Sequence, residues 1–109
     1  GEAPDNIRNH ALLGGTDIGR TGWPGRVGVL VTKTLVIAGE SGTYTTETGE
    51  VGAMLRAYDK ATGAEVGAVF MPAPQTGSPM TYLIDGRQYL VLAVGAGTHP
   101  GELIAFALP

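Results

Sequence analysis

Short apolar runs, separated by segments rich in glycine, proline and threonine, dominate the chain after residue 26. Runs of this length that are rich in β-branched side chains predict strands, and none keeps helical spacing over ten residues or more. The predicted strands are 27–31, 35–38, 54–58, 65–70, 80–84, 87–94 and 103–108. The pattern therefore predicts an all-β fold, preceded by an irregular, extended segment at 1–25 that we expect to drape over another part of the fold.

Two turns between the strands carry their own signals. Asp85-Gly86 stands between two β-rich runs, which is the strongest short-range indication of a two-residue hairpin. Residues 59–63 begin with Asp and end with Gly, and this composition predicts a turn. Longer loops are expected at 39–52 and 95–101.

The two halves of this region repeat each other. Residues 35–39 align with 90–94 and residues 55–58 with 103–106, an offset of about 50 residues. Four short strands at this period are typical of a propeller blade. The nearly continuous apolar runs indicate strands covered on both faces, as between neighbouring blades, and a β-sandwich explains them less well. We predict antiparallel four-stranded blades of a β-propeller, with repeats at 26–70 and 79–108 that form part of one larger domain.

Composition narrows the possible functions. The 109 residues carry a net charge of −3, which gives no basic surface for nucleic acid or anionic membrane. The chain has no cysteine, so disulfides and thiolate metal sites are excluded. No apolar run reaches the roughly 18 residues that span a bilayer. Residues 1–5 lack the features of a signal peptide, and we expect a processed or excised piece of a longer protein.

Several segments in this order resemble the C-terminal end of quinoprotein glucose dehydrogenases, which depend on pyrroloquinoline quinone (PQQ). The resemblance covers roughly residues 10–109. It is carried by VTKTLVIAGE at 31–40, LRAYDKATG at 55–63, PMTY at 79–82, DGRQY at 85–89 and IAFALP at 104–109.

The resemblance implies two blades of an eight-bladed periplasmic propeller. It also implies an enzyme that oxidises a sugar or alcohol hydroxyl, with PQQ as electron acceptor and Ca²⁺ or a related cation beside it. No position here matches the family's catalytic base or metal ligands. We therefore expect the chain to be inactive by itself and to hold neither PQQ nor Ca²⁺ alone. The alternative is a non-catalytic repeat module that serves as a protein interaction surface.

One departure from the family concerns how the blades dock. The family's blades often carry an Ala-x-Asp-x-x-Thr-Gly-x-x-x-Trp motif, whose Trp ties neighbouring blades together. Ala57, Asp59, Thr62 and Gly63 fit this motif, but position 67 is Gly. We therefore expect looser docking at this blade.

Two residues are candidates for contact with the cofactor. Trp23, within a Gly/Pro-rich stretch, is suited to stack near a planar group, although packing against a blade end is the commoner role. His99, in the predicted 95–101 loop, is suited to donate a hydrogen bond, although a solvated loop histidine is commoner. Glu40, Glu47 and Glu50 are expected to form a solvated acidic loop, because their spacing does not match a known Ca²⁺ loop.

A piece of a propeller has uncovered blade faces. One face of about 300 Å² left in water loses roughly 8 kcal/mol of hydrophobic stabilisation. We therefore expect the chain to pair its blade faces with the remainder of its parent propeller or with copies of itself.

Overall fold

The computed structural model describes residues 3–22 and 24–109. Helix is confined, in these residues, to α1 at Asp5–Arg8 and a 3₁₀ turn at Ala11–Leu13. Everything else that is regular is antiparallel strand, which confirms the predicted all-β class.

The first sheet, which we call the first blade, follows the chain as a meander. Its strands are β1 Leu30–Val31, β2 Leu35–Gly39, β3 Tyr44–Thr45, β4 Val51–Asp59 and β5 Glu65–Met71. Strand β2 pairs with β1 on one side and with β4 on the other, β4 pairs also with β5, and the short β3 pairs with the beginning of β4. β4 is long because Val51–Ala53 continue the strand into the predicted 39–52 loop, where β3 and β5 supply partners.

The turn between β4 and β5 forms as its composition predicts. The Asp59 carboxylate accepts hydrogen bonds from the backbone N–H of Ala61 and of Thr62, at 3.0 and 2.8 Å, and from the Thr62 hydroxyl at 2.9 Å. Gly63 takes the left-handed conformation, with φ 74°. Asp59 therefore acts as a turn former, as expected from the sequence.

The second sheet, the second blade, has three strands in the order β6-β7-β8. These are β6 Met80–Ile84, β7 Arg87–Ala96 and β8 His99–Ala107. The Asp85-Gly86 hairpin is confirmed, with φ of 50° and 77° at its two central residues.

The predicted loop at 95–101 is wrong. The strands extend to Ala96 and resume at His99, so only residues 97 and 98 turn. A register shift between Val94 and Ala96 accommodates the glycine-rich segment, because a β-bulge absorbs an extra residue while pairing continues.

The hydrophobic core lies between the two blades. Leu55 and Met71 of the first blade pack with Leu90, Leu92 and Val94 of the second, and all five side chains are buried. On β7 the three core residues alternate with half-buried Val91 and Ala93. One face of each blade therefore meets the other blade, as in a propeller.

Gln75, in the connection between the blades, is the buried polar residue of this interface, with 3% exposure. Its Oε1 accepts a hydrogen bond from the Gly39 backbone N–H at 2.6 Å, and its Nε2 donates to the carbonyls of Gly28 and Gly77. A Cβ at position 39 would lie only 2.6 Å from that Oε1, so the close approach requires glycine. The Gln75 amide thus clamps three separate segments together.

The segment before β1 runs along the first blade. The Ser41 hydroxyl donates to the Pro24 carbonyl at 3.1 Å, and Arg20 approaches Glu65 at 3.4 Å. A Cβ at Gly25 would collide with the Ser41 side chain, which shows how closely the segment lies.

The molecule is more open than a compact domain of its mass. Its radius of gyration is 15.3 Å, against about 13 Å for a typical domain of this length. Its accessible surface is 7129 Å², against about 5,700 Å² for a compact monomer of 11.2 kDa. The excess of about 1,400 Å² includes the segment before β1, most of whose described residues are exposed, as well as the open faces of the sheets.

Candidate functional site

His99, one of the two predicted cofactor contacts, begins β8 instead of lying in a loop. Its Nε2 lies 2.9 Å from the Glu102 carboxylate, and both side chains are partly exposed. This pairing leaves His99 accessible at the tip of the β7–β8 hairpin. The position is compatible with contact to another blade or to a ligand, and the role of His99 stays a prediction.

Trp23, the other predicted contact, lies outside the described residues. Gly22 and Gly25 line a small cleft of about 160 Å³ against the first blade, beside Glu40, Arg56 and Tyr58. The remaining histidine, His10, has a local structural role, because its Nδ1 accepts a hydrogen bond from the Leu12 backbone N–H.

Arg56 is the centre of a charged network on this face. Its guanidinium lies 3.0 Å from Glu40 and 3.0 Å from Glu65, and the Arg56 and Glu40 side chains are only 14% and 18% exposed. Burial alone would lower the pKa of Arg56, but the hydrogen bond that Arg56 donates to Glu40 and the charges of Glu40 and Glu65 raise it above the usual value. Arg56 therefore stays charged.

The expectation of a solvated acidic loop is wrong for Glu40. Its second carboxylate oxygen accepts the Met54 backbone N–H at 3.1 Å, so the Glu40 side chain is held against β4. Glu47 and Glu50 are exposed, as expected. No sequence signal marked the Glu40–Arg56 pair, because the partners are joined only by the β2–β4 register, in which Ala38 stands opposite Arg56.

An apolar opening of about 340 Å³, which we call the interblade cleft, lies between the two sheets. Gly67 of β5 lines it and stands opposite Ala57 of β4. A Cβ at position 67 would meet no atom within 4 Å. The departure from the docking motif at position 67 thus coincides with unfilled space between the blades. The lining of the cleft also includes Leu35, Ile37, Leu90, Phe106, Thr81 and Gln88.

The face of the second blade that points away from the first is apolar and uncovered. We call it the outer face; by register it presents Met80, Tyr82, Ile84, Tyr89, Val91 and Leu103. Leu103 is 75% exposed and Ile84 53%. The Tyr82 and Tyr89 rings stack at 5.3 Å, and the Arg87 guanidinium lies 5.9 Å from the centre of the Tyr89 ring.

The β8 strand also has an unused edge. Within the described residues β8 pairs only with β7, so one side of its nine residues has no strand partner. An exposed edge strand and an apolar face are the two features by which sheets acquire neighbours.

The described residues contain no cluster of metal-ligating side chains, and two of their arginines already have partners. In the ranges 3–22 and 24–109, no three His, Cys, Asp or Glu side chains come together in a group that could hold a metal ion. Ca²⁺ takes six to eight oxygens, and PQQ is an anion that needs converging donors. Arg56 is engaged by two glutamates, and Arg87 donates to the Leu108 carbonyl. No reaction step is therefore assigned to these side chains.

Sequence reasoning did not anticipate Gln75 and Gln88. Neither glutamine belongs to a recognisable sequence motif. Their hydrogen-bond partners, such as Gly28 and Gly39 for Gln75 and Thr81 for Gln88, come near only in the folded chain. The Pro/Gly-rich segment around Gln75 gave no signal that singled it out, and its burial beside Ala73 and Pro74 is seen only in the structure.

Comparison with known proteins gives a family match. The family described as "PQQ: Glucose/ethanol/alcohol dehydrogenase, beta-propeller domain" matches residues 1–90. Quinoprotein glucose dehydrogenase of Escherichia coli (strain K12) is 38% identical over 60 residues, which is 50% of this chain and 8% of that protein. Quinoprotein glucose dehydrogenase A of Acinetobacter calcoaceticus is 40% identical over 60 residues, again 50% of this chain and 8% of the relative.

A third relative extends the comparison beyond glucose dehydrogenases. Subunit 1 of the methanol dehydrogenase [cytochrome c] of Paracoccus denitrificans is 36% identical over 75 residues, which is 69% of this chain and 11% of that subunit. The chain thus spans about a tenth of the curated relatives it matches. No solved structure matches it significantly. None of the helices in the described residues has the length and hydrophobicity to cross a membrane.

Proposed function

Since this chain belongs to the PQQ-dependent glucose, ethanol and alcohol dehydrogenase family, within its β-propeller domain, we propose that it is the C-terminal portion of an enzyme that oxidises a sugar or alcohol hydroxyl with PQQ as electron acceptor. The observation that carries the proposal is the pair of antiparallel blades stacked around one core, in a chain that the propeller family matches over residues 1–90. By this proposal the two repeats are part of one larger propeller domain, and the enzyme works in the bacterial periplasm.

In this proposal the chain supplies scaffold, and PQQ with Ca²⁺ is held mainly by other parts of the parent enzyme. The charged side chains of the described blades are engaged in structural pairs, above all Arg56 with Glu40 and Glu65. We propose that His99 and Trp23 each add at most one contact to a cofactor pocket that other blades complete. The chain alone is therefore inactive.

The proposed partner of this chain is the remainder of its parent propeller. The outer face needs a neighbouring blade, and the open edge of β8 needs a strand. Both needs are met in a closed propeller, in which each blade has a neighbour on either side. In the absence of that partner, a second copy of the chain is the next best cover for the same face.

The proposal is tested on the full parent protein that contains these residues, purified without PQQ. Dye-coupled oxidation of a panel of sugars and primary alcohols is measured before and after addition of PQQ with Ca²⁺. We expect oxidation of at least one substrate to appear only when PQQ is present. Failure of PQQ to produce oxidation of any member of the panel, in a protein that remains folded by circular dichroism, would overturn the proposal.

The uncovered outer face supports a second candidate function, a non-catalytic repeat module that binds another protein. Met80, Ile84 and Leu103 of that face are exposed to water, and neighbouring exposed apolar side chains are a feature of protein interaction sites. The same dye assay separates the two functions. A non-catalytic module gives no PQQ-dependent oxidation, whether the isolated chain or the longer protein that contains it is assayed.

A further inference from the structure

The Asp85-Gly86 turn joins β6 to β7 and has no part in the function proposed above. Both residues are exposed, and Asp85 is the one non-glycine residue of the described ranges with a positive φ, at 50°. Aspartate enters this left-handed conformation more readily than most residues do. The turn therefore holds a carboxylate directly before a glycine, at the open end of a hairpin.

The Asp85 carboxylate has no partner in the fold. Among the described residues, no group donates a hydrogen bond to it and no cation pairs with it. The other aspartates of turns differ in this respect. The Asp59 carboxylate accepts three hydrogen bonds, and the Asp17 carboxylate accepts the Gly19 backbone N–H at 2.8 Å. The side chain of Asp85 is therefore free to rotate toward the backbone of its own turn.

The backbone nitrogen of Gly86 is free as well. In a two-residue hairpin the flanking residues pair with each other, here Ile84 with Arg87, and the N–H between them is left over. Within the described part of the chain, no carbonyl accepts the Gly86 N–H. In the turn of the first blade, by contrast, the Lys60 N–H donates to the Thr34 carbonyl at 2.8 Å.

These two free groups can react with each other. The Gly86 nitrogen attacks the Cγ of the protonated Asp85 carboxyl, a C–N bond forms, and one carboxyl oxygen leaves as water together with the amide proton. Water then opens the resulting five-membered succinimide. Attack at one carbonyl restores aspartate, and attack at the other leaves the main chain running through the side-chain carboxyl, which is isoaspartate. No atom is gained or lost overall, and water is the only co-reactant.

From these observations we propose that Asp85-Gly86 is a modification site, at which Asp85 isomerises spontaneously to isoaspartate. The site goes beyond the proposed dehydrogenase function and does not depend on it. Asp85 is also the one aspartate of the chain that glycine follows, so no side chain shields the attacking nitrogen. An added Cβ on Gly86 would meet no atom within 4 Å, which shows that the surroundings do not crowd it either.

The isomerisation changes the hairpin itself. Isoaspartate lengthens the main chain of the turn by one methylene group. The register of a hairpin depends on the length of its turn, so the pairing of Ile84 with Arg87 is lost. Strand β6 should therefore loosen from this end, where Leu83 and Ile84 are already 69% and 53% exposed.

The test is incubation of the chain at neutral pH for several weeks, followed by digestion with trypsin. Trypsin releases residues 61–87 as one peptide, in which Asp85 is the only aspartate and asparagine is absent. We expect this peptide to separate with time into two species of equal mass. The new species should accept a methyl group from protein isoaspartyl methyltransferase, which identifies isoaspartate.

The peptide 57–60 from the same digest is the internal control, because it contains Asp59. Asp59 should isomerise at least about tenfold more slowly than Asp85, since the Lys60 N–H must first break its backbone hydrogen bond. In urea, where the turns are unfolded, Asp59 should react faster than in the folded chain and Asp85 about as fast. An Asp85 that reacts as slowly as Asp59 in the folded chain would overturn the proposal, because the turn would then protect it.

Asp85→Glu is the matched variant. It keeps the charge, but its cyclisation requires a six-membered ring, which forms far more slowly. Its peptide 61–87 should remain a single species. A second species of equal mass in this variant would contradict the assignment to Asp85. If the variant does not fold, the comparison of folded and unfolded wild-type chain decides the question.

Hydrogen exchange tests the consequence for β6. In the isomerised chain, the backbone amides of Leu83 and Ile84 should exchange faster than in the fresh chain, and the amide of buried Leu92 should not change. Equal exchange at Leu83 and Ile84 in both forms would show that the altered turn keeps its register, and would contradict this consequence.

Discussion

At the scale of single residues, Gln75 ties the connection between the two blades to β2 and to the segment before β1. It is buried, and its amide serves Gly39, Gly28 and Gly77 at once. A leucine of similar size would fill the space but leave the Gly39 N–H without an acceptor. A buried donor without a partner costs stability in addition to the hydrogen bonds that are lost.

We therefore expect Gln75→Leu to lower the free energy of unfolding by about 3 kcal/mol. Urea denaturation followed by circular dichroism measures the change. Thr76→Ala, at the exposed neighbouring position, is the control and should change the free energy of unfolding by less than about 0.5 kcal/mol. A Gln75→Leu variant as stable as the control would show that the hydrogen bonds of Gln75 contribute little to the free energy of unfolding.

Asp59 gives a residue-scale prediction for pH. Hydrogen bonds from the Thr62 side chain and backbone, and from Ala61, hold the pKa of Asp59 below its usual value. A carboxylate with a lowered pKa in the folded state stabilises the fold above its unfolded pKa of about 3.9, and this contribution is lost as the pH falls through the folded pKa.

Asp59→Asn should therefore destabilise the chain at pH 7, and the difference from wild type should shrink as the pH falls toward 2. The measurement is the midpoint of urea unfolding for both proteins between pH 2 and 7. Glu47→Gln, at an exposed acidic position, is the matched control and should show no such convergence. A difference between wild type and Asp59→Asn that stays constant over this pH range would contradict the role given to the charge.

At the scale of elements, the turns and strands were the parts that sequence predicted well. Asp85-Gly86 and the 59–63 turn are local, because the side chain and the left-handed glycine that make each turn lie within a few residues. Apolar runs also marked every strand of the second blade. These features depend on short-range sterics and hydrogen bonds, which the sequence displays directly.

The features that the sequence did not predict depend on pairing between segments that lie far apart in the chain. Glycines at 95 and 97 suggested a loop, yet β7 and β8 continue through this region because each supplies the other's backbone partners and a bulge absorbs the mismatch. His99 was placed in a loop for the same reason. Glu40 looked solvated because Arg56, sixteen positions away, becomes its neighbour only through the register of β2 and β4.

The docking of the two blades yields an element-scale prediction at Gly67. This residue lines the interblade cleft, and its backbone is not in the left-handed region, so a side chain can be added without backbone strain. Gly67 is itself exposed, so only the part of the Gly67→Trp ring that enters the cleft becomes buried, and the free energy of unfolding should rise by about 1 kcal/mol.

The comparison with Val66→Trp gives this prediction its control. Val66 is 58% exposed, and a tryptophan there gains little burial. Urea denaturation should therefore show stabilisation in Gly67→Trp alone. Destabilisation of Gly67→Trp would mean that the cleft is too narrow for an indole side chain and that the blades resist separation.

At the scale of the whole molecule, the uncovered surfaces decide how the chain behaves in solution. The outer face of the second blade leaves Met80, Ile84 and Leu103 exposed to water, and apolar side chains exposed together on one sheet face favour association. We expect the chain, when isolated from the rest of its propeller, to self-associate through the outer face of the second blade.

Leu103→Lys places a charge at the most exposed side chain of that face and should shift the chain to monomer in sedimentation velocity experiments. Leu12→Lys is the matched control, because Leu12 is 90% exposed but lies in the segment before the first blade. The control should associate like the unmodified chain. An unmodified chain that remains monomeric at concentrations of about 100 µM would contradict the assignment of the outer face as a docking surface.

The division of roles within the parent enzyme is the central claim: this chain supplies two blades, and the rest of the propeller holds the cofactor. The most direct test is a titration of the isolated chain with PQQ, with and without Ca²⁺, followed by the fluorescence of Trp23, its single tryptophan. We predict no saturable change up to the solubility limit of PQQ in either condition. Saturable quenching that requires Ca²⁺ would contradict the account, because it would place a working part of the cofactor pocket in these 109 residues.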